Sequence, residues 1–302
     1  MNPDVKRYAP VAAIGLMLLA VVIVLATGGG DEKVSADRGD EAAPVKQPPL
    51  KKAEPTGGTG AMAQVTPQST KKVSGPHDDP VPILMYHVTK TAPAGTPYPE
   101  LWVSKSDFAG QMQWLADNGY TGITLDQLFN YWNDGFELPK KPVVISFDDG
   151  YPSHDKVARP ILLKHKWPGV LYLKYGNIGD PESGLTTKNV KNLLAAGWEL
   201  GSHTINHSDL TTVGADSMQS EVTDSKKQIE KRFNVEVKHF CYPAGKYNDA
   251  VIAAVEAAGY ESATTVIDGV ATPDKPFELK RVRIDGGDGV EGFAAKMRQA
   301  RQ

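Results

Sequence analysis

The chain has 302 residues, 40% hydrophobic and 23% charged, with 33 Lys and Arg against 36 Asp and Glu, for a net charge of −3. That length suits one enzyme-sized domain with appendages, and the near-neutral balance argues against a nucleic-acid binder, which carries a basic excess on one face. The single cysteine, Cys241, excludes an internal disulfide framework and a cysteine-cluster zinc site, so any metal must rest on His, Asp or Glu.

Lys6 and Arg7 precede an uncharged stretch from Tyr8 to Gly30. Its apolar heart, Val11 to Ala26, approaches the ~20 residues that cross a bilayer as a helix. The positive-inside rule keeps the two basic residues cytoplasmic and puts the C-terminal bulk outside. Residues 1–27 therefore read as a single-span membrane anchor, with a cleaved secretory signal as the alternative. Residues 28–79 are rich in Gly, Pro, Lys, Asp, Glu, Thr and Ala, with almost no large apolar side chains. Such a stretch buries too little surface to offset its ordering entropy and reads as a flexible tether.

From Val81 onward, strand-like and helical patterns alternate. Strands are expected at Val81–Tyr86, Thr121–Thr124, Val143–Phe147, Val170–Leu173, Trp198–Ser202, His239–Tyr242, Ser262–Val266 and Val282–Ile284. A helix capped by Ser106, with Phe108, Met112 and Leu115 on its apolar side, ends at Gly119. Further helices are expected over Lys156–His165, Lys188–Ala196, Ser217–Phe233 and Asp249–Ala258, the last closed by Gly259. Strands separated by helices imply right-handed crossovers. Residues 80–302 then form one domain, a closed or nearly closed β/α barrel, with its chemistry at the C-terminal strand ends.

Four polar segments fall at those ends. Val143–Phe147 runs into Asp148-Asp149-Gly150, and adjacent carboxylates leaving a buried strand are costly unless something positive meets them. After Trp198–Ser202 come His203 and His207, able to converge on one point if the loop turns into a helix. With Asp149 they make a two-histidine, one-carboxylate set that leaves room for water. A metalloprotease would need Glu after the first His, and position 204 is Thr. The Phe240–Tyr247 segment ends in a Pro/Gly turn that can present backbone N–H groups to an oxyanion. His87 follows the first strand.

Together SFDDG (146–150), SHTINH (202–207) and FCYPAGKYN (240–248) resemble the polysaccharide deacetylase, or NodB-homology, family over residues 80 to 285. The resemblance implies a distorted β/α barrel of about seven to eight strands and removal of acetyl groups from polysaccharides with a divalent metal, commonly zinc. It makes Asp149, His203 and His207 metal ligands and Asp148 the general base, with the Ala244 N–H facing the oxyanion. The family's third motif usually begins with an arginine that steadies the base; here that position is Cys241, and Arg281 or Arg283 near the last strand would reach in instead. The family's late acid histidine is absent, but the early PILMYH segment (82–87) is similar to a branch acting on poly-N-acetylglucosamine. In that branch the barrel is circularly permuted and the acid histidine follows the first strand, which is His87 here.

The expectation is a metal-dependent deacetylase of an envelope or extracellular polysaccharide, of poly-N-acetylglucosamine or peptidoglycan type, anchored outside the cytoplasmic membrane. The alternatives are an O-acetyl esterase using the same residues and a non-catalytic glycan-binding protein of the same fold. No sequence feature specifies an oligomeric state.

Overall fold

In the computed structural model, which describes residues 65–300, each stretch expected to be extended contributes a strand. These are β1 Ile83–Tyr86, β2 Thr121–Ile123, β3 Pro142–Asp149, β4 Val170–Leu173, β5 Glu199–Ser202, β6 His239–Cys241, β7 Ser262–Asp268 and β8 Leu279–Arg283. All pair in parallel in the order β1-β8-β7-β6-β5-β4-β3, and β3 returns to β1 with Tyr86 opposite Phe147, closing a ring of seven. β2 adds to the first residues of β3, Thr121 opposite Pro142, below the Ser146–Asp149 stretch that pairs with β4.

Period-two alternation sorts the side chains. Tyr86, Val143, Ile145, Phe147, Leu171 and Phe240 pack outward into one apolar cluster, whereas Ile83, Val144, Val170, Tyr172, Cys241 and Leu279 join another. The second set faces the ring interior, and its parity carries Asp148, His203, Arg281 and His87 to the upper end. β3 runs on through both aspartates, which were expected just beyond it, and β8 starts at Leu279 rather than Val282.

The helices are α1 Lys105–Asp117, α2 Leu125–Asp134, α3 Arg159–His165, α4 Thr187–Ala195, α5 Ala215–Gln219, α6 Ser225–Phe233, α7 Asp249–Ala257 and α8 Gly289–Gln299. α2 and α8 were not anticipated. The cap of α1 is Ser104, not Ser106, because Ser104 Oγ accepts the Asp107 N–H at 3.0 Å. The long helix expected over 217–233 is α5 and α6 joined by a π-helical turn, Ser220–Asp224, and another π-helical turn, His154–Ala158, leads into α3.

Residues 65–79, assigned above to the tether, instead lie against the barrel. Lys72 bridges Phe136 in antiparallel fashion, and the Thr66 N–H donates to Lys166 O at 2.9 Å. Gln127 donates to Thr66 O at 2.9 Å, and Tyr131 donates to the Asp79 carboxylate. Hydrogen bonds to the domain supply what the segment's own composition lacks. The expected anchor and the rest of the tether lie outside the described residues; among those described, no helix is long and apolar enough to cross a membrane.

Candidate active site

Asp148 is the inward residue near the end of β3 and is buried. Arg281, fully buried on β8, grips it with both ends of its guanidinium, Nη1 to Oδ1 and Nη2 to Oδ2, each at 2.8 Å. Arg281 Nε donates to Thr265 O at 2.8 Å, and Nη2 lies 3.3 Å from Cys241 Sγ. Burial alone would raise the Asp148 carboxyl; the guanidinium, with His87 and His203 adding to it, outweighs burial and holds the group well below the usual carboxylate range. Arg283, the other arginine offered for this place, sits at the rim and pairs with Asp285 at 2.8 Å. Both arginines share one parity on β8, so depth in the barrel separates them.

Asp149 turns the other way. Its φ of 74° is left-handed, and so are those of Thr204 (65°), His207 (62°) and Ala244 (51°). Four of the seven non-glycine residues with positive φ among those described thus gather here, the concentration of backbone strain typical of functional sites. Through these turns, and not through the helix envisaged from the His203/His207 spacing, Asp149 Oδ1 comes within 3.7 Å of His203 Nε2 and 3.9 Å of His207 Nε2.

The three atoms fit a divalent cation. His203 Nδ1 must carry its hydrogen, because its partner at 2.8 Å is the Cys241 carbonyl oxygen, which leaves Nε2 as the nitrogen that would ligate a cation beside Asp149. Asp148, His203 and Cys241 also lie within ligating distance of one another, but the Arg281 guanidinium already occupies both Asp148 oxygens and would repel a cation there.

His87 Nε2 stands 3.7 Å from Asp148 Oδ2, with its side chain mostly buried. Burial pushes the imidazole down and the two aspartates pull it back only in part. Ala244 is exposed; the turn around it is closed by Gly245 N–H to Tyr242 O (2.9 Å) and Lys246 N–H to Pro243 O (3.0 Å), which leaves the Ala244 N–H out of both bonds.

Two supporting residues escaped the sequence reading. His154, fully buried, donates from Nε2 to the His87 carbonyl at 2.6 Å, and burial drops its pKa to about 4, so the ring stays neutral. Glu221 accepts the N–H groups of Ile205 (2.9 Å) and Asn206 (2.8 Å) and the Ser208 hydroxyl (3.0 Å), pinning the loop that carries His207. Each belongs to one of the π-helical turns. A short π turn inside a helical pattern re-aims one side chain, and periodicity does not announce it.

The model of the family described as polysaccharide deacetylase matches residues 136–263. YxkH of Bacillus subtilis (strain 168), named as a polysaccharide deacetylase, is 32% identical over 216 residues, 71% of this chain and 75% of that protein. The chain belongs to the polysaccharide deacetylase family. Among its relatives is the poly-beta-1,6-N-acetyl-D-glucosamine N-deacetylase of Staphylococcus aureus (strain MSSA476), 28% identical over 60% of this chain and 67% of that one. The Streptococcus pyogenes deacetylase PplD, solved in complex with acetate, superposes with a TM-score of 0.67 and 28% identity over 73% of this deacetylase-family chain and 99% of that structure.

Proposed function

We propose that this chain hydrolyses N-acetyl groups on an N-acetylglucosamine-containing envelope or extracellular polymer, releasing acetate, with Asp149, His203 and His207 holding a zinc-type ion. The observation that carries the reading is the convergence of Asp149 Oδ1 on two imidazole Nε2 atoms beside a carboxylate locked by Arg281. What such an ion supplies is Lewis acidity: a polarised acetyl carbonyl and water of lowered pKa.

Asp148 Oδ2 receives the proton of the attacking water. Arg281 fixes the carboxylate plane, so the proton arrives at one defined lone pair. The backbone N–H of Ala244 donates to the developing oxyanion. His87 Nε2 gives its proton to the departing sugar nitrogen, leaving a free amine. Because Oδ2 and Nε2 are 3.7 Å apart, a small shift or one water returns the proton from Asp148 to His87 and resets both groups. The apolar segment behind Lys6 and Arg7 supports a domain tethered outside the cytoplasmic membrane.

The test is acetate release by the purified chain from poly-N-acetylglucosamine, N-acetylated peptidoglycan and an O-acetylated polymer, with and without chelator. Chelator-sensitive acetate from an N-acetylated polymer is expected. Acetate from the O-acetylated polymer alone would make the protein an esterase, and none from any would leave a glycan-binding role.

A further inference from the structure

At the opposite end of the barrel a second set of ligating atoms converges. Glu199 opens β5, His239 opens β6, and Asp126 lies in the first turn of α2 beside them. His239 is fully buried, with Nδ1 2.8 Å from Ser262 Oγ, which leaves Nε2 aimed at two carboxylates. It stands 3.3 Å from Asp126 Oδ1 and 3.5 Å from Glu199 Oε1. The Glu199 side chain is nine-tenths buried: the Asp126 N–H donates to Oε2 at 3.0 Å, the Thr124 hydroxyl lies alongside, and Oε1 accepts no hydrogen bond.

Two carboxylate oxygens and an imidazole nitrogen drawn together need a proton or a cation among them. A proton on Nε2 serves only Asp126 Oδ1, through a hydrogen bond that is long at 3.3 Å against the about 2.7–2.9 Å of charge-assisted N–H···O bonds, and leaves Glu199 Oε1 without a partner. A tetrahedral ion with ligands at about 2.0–2.1 Å sets its ligands about 3.4 Å apart, which matches both separations. The neighbouring cation, Lys238, lies 3.5 Å from Asp126 Oδ1 but also 3.6 Å from Glu261 and 3.9 Å from Glu236, and pairs with neither Glu199 oxygen. Asp126 is nearly half exposed, which opens a path from solvent.

We propose that Asp126, Glu199 and His239 form a second divalent-cation site of zinc type, structural in role, that clips the start of α2 to the starts of β5 and β6. The Ser262 contact would act as its outer shell, holding the imidazole in orientation.

The test removes the upper site first. Full-length chain carrying His203→Ala and His207→Ala, stripped with chelator and titrated with Zn²⁺ by calorimetry, should take up one ion per chain and melt at a higher temperature with zinc than without. Adding Asp126→Asn or Glu199→Gln should weaken uptake by more than the ~10–100-fold that loss of an outer-shell partner costs, and Ser262→Ala by about that factor. No uptake by the double variant, or uptake unchanged by Asp126→Asn, overturns the proposal. Should the Glu199 variant fail to fold by circular dichroism, the partly exposed Asp126→Asn decides. The two sites fail differently: if only the upper one is wrong, the unsubstituted chain and the double variant bind the same single ion; if only the lower one is wrong, the unsubstituted chain binds one and the double variant none.

Discussion

β5 carries Glu199 at one end of the barrel and has His203 just beyond the other; β6 likewise carries His239 and Cys241. Four residues along a strand put the two ends roughly 13 Å apart, with Tyr172 packed against Gly201 between them; a Cβ at Gly201 would come within 2.6 Å of that ring. Both ends gather carboxylates around imidazole, yet they are built differently. The upper cluster hangs on the last residue of β3 and the loop after β5, with left-handed backbone at Asp149, Thr204 and His207, and His207 is a third exposed. The lower cluster sits on the first residues of two strands and a helix, none with positive φ. Residue type alone therefore does not distinguish a reacting site from a fastening one. The backbone beneath it does: loops past strand ends can be bent to aim side chains at a substrate, while strand starts are fixed by the sheet.

The sharpest break of this comparison is at Asp148. Asp148→Asn should lower kcat by at least the ~10²–10⁴-fold of general acid–base catalysis with metal content unchanged, while His239→Gln at the other end should leave kcat unaltered; comparable losses from both would erase the distinction. His87→Gln should slow amide hydrolysis by a similar ~10²–10⁴-fold but cost far less on an activated ester, whose leaving group needs no proton. Equal losses on the two substrates would remove His87 from the acid role.

Arg281→Gln should be felt in both stability and pH dependence. Removing one partner of a buried ion pair costs about 3–5 kcal/mol, to be read from chemical denaturation. Burial raises the Asp148 carboxyl, and Arg281 is the largest of the groups that lower it, ahead of His87 and His203, so without the guanidinium the carboxyl must climb. The ionised form is then lost at a higher pH as acid is added, and the acid limb of kcat should move upward. An unmoved limb would show that Arg281 does not set the charge of Asp148. The smallest effect is expected at Glu221, which touches no reacting group: Glu221→Gln should weaken metal binding at the upper site by about 10–100-fold and leave zinc uptake at the lower one unchanged.

Much of the upper end was legible in the sequence because strands announce themselves by apolar runs and their chemistry follows directly, as with Asp148-Asp149 and His203. What was lost lies where the deciding factor is depth or a distant partner. Arg281 and Arg283 share parity, and only the position of β8 in the ring buries the first. His154 and Glu221 act through π-helical turns invisible to a 3.6-residue period. α2 did carry a readable start, Thr124 and Gln127 forming a capping box, and with it Asp126 could have been placed at a helix N-terminus. Its meeting with Glu199 and His239, distant in sequence, follows only from barrel closure. Residues 65–79 looked like tether because their composition has no core of its own, and the groups they bond to belong to the barrel.

The central claim, that the strained upper cluster is a metal-dependent deacetylase centre, is tested most directly by acetate release from poly-N-acetylglucosamine as zinc is returned to chelator-stripped full-length protein, with Asp149→Asn alongside. Acetate release should vanish on stripping and return with zinc in the unsubstituted chain, and Asp149→Asn should need far more zinc to recover any rate. Full activity in the stripped protein, or an Asp149→Asn chain that recovers at the same zinc concentration, would contradict it.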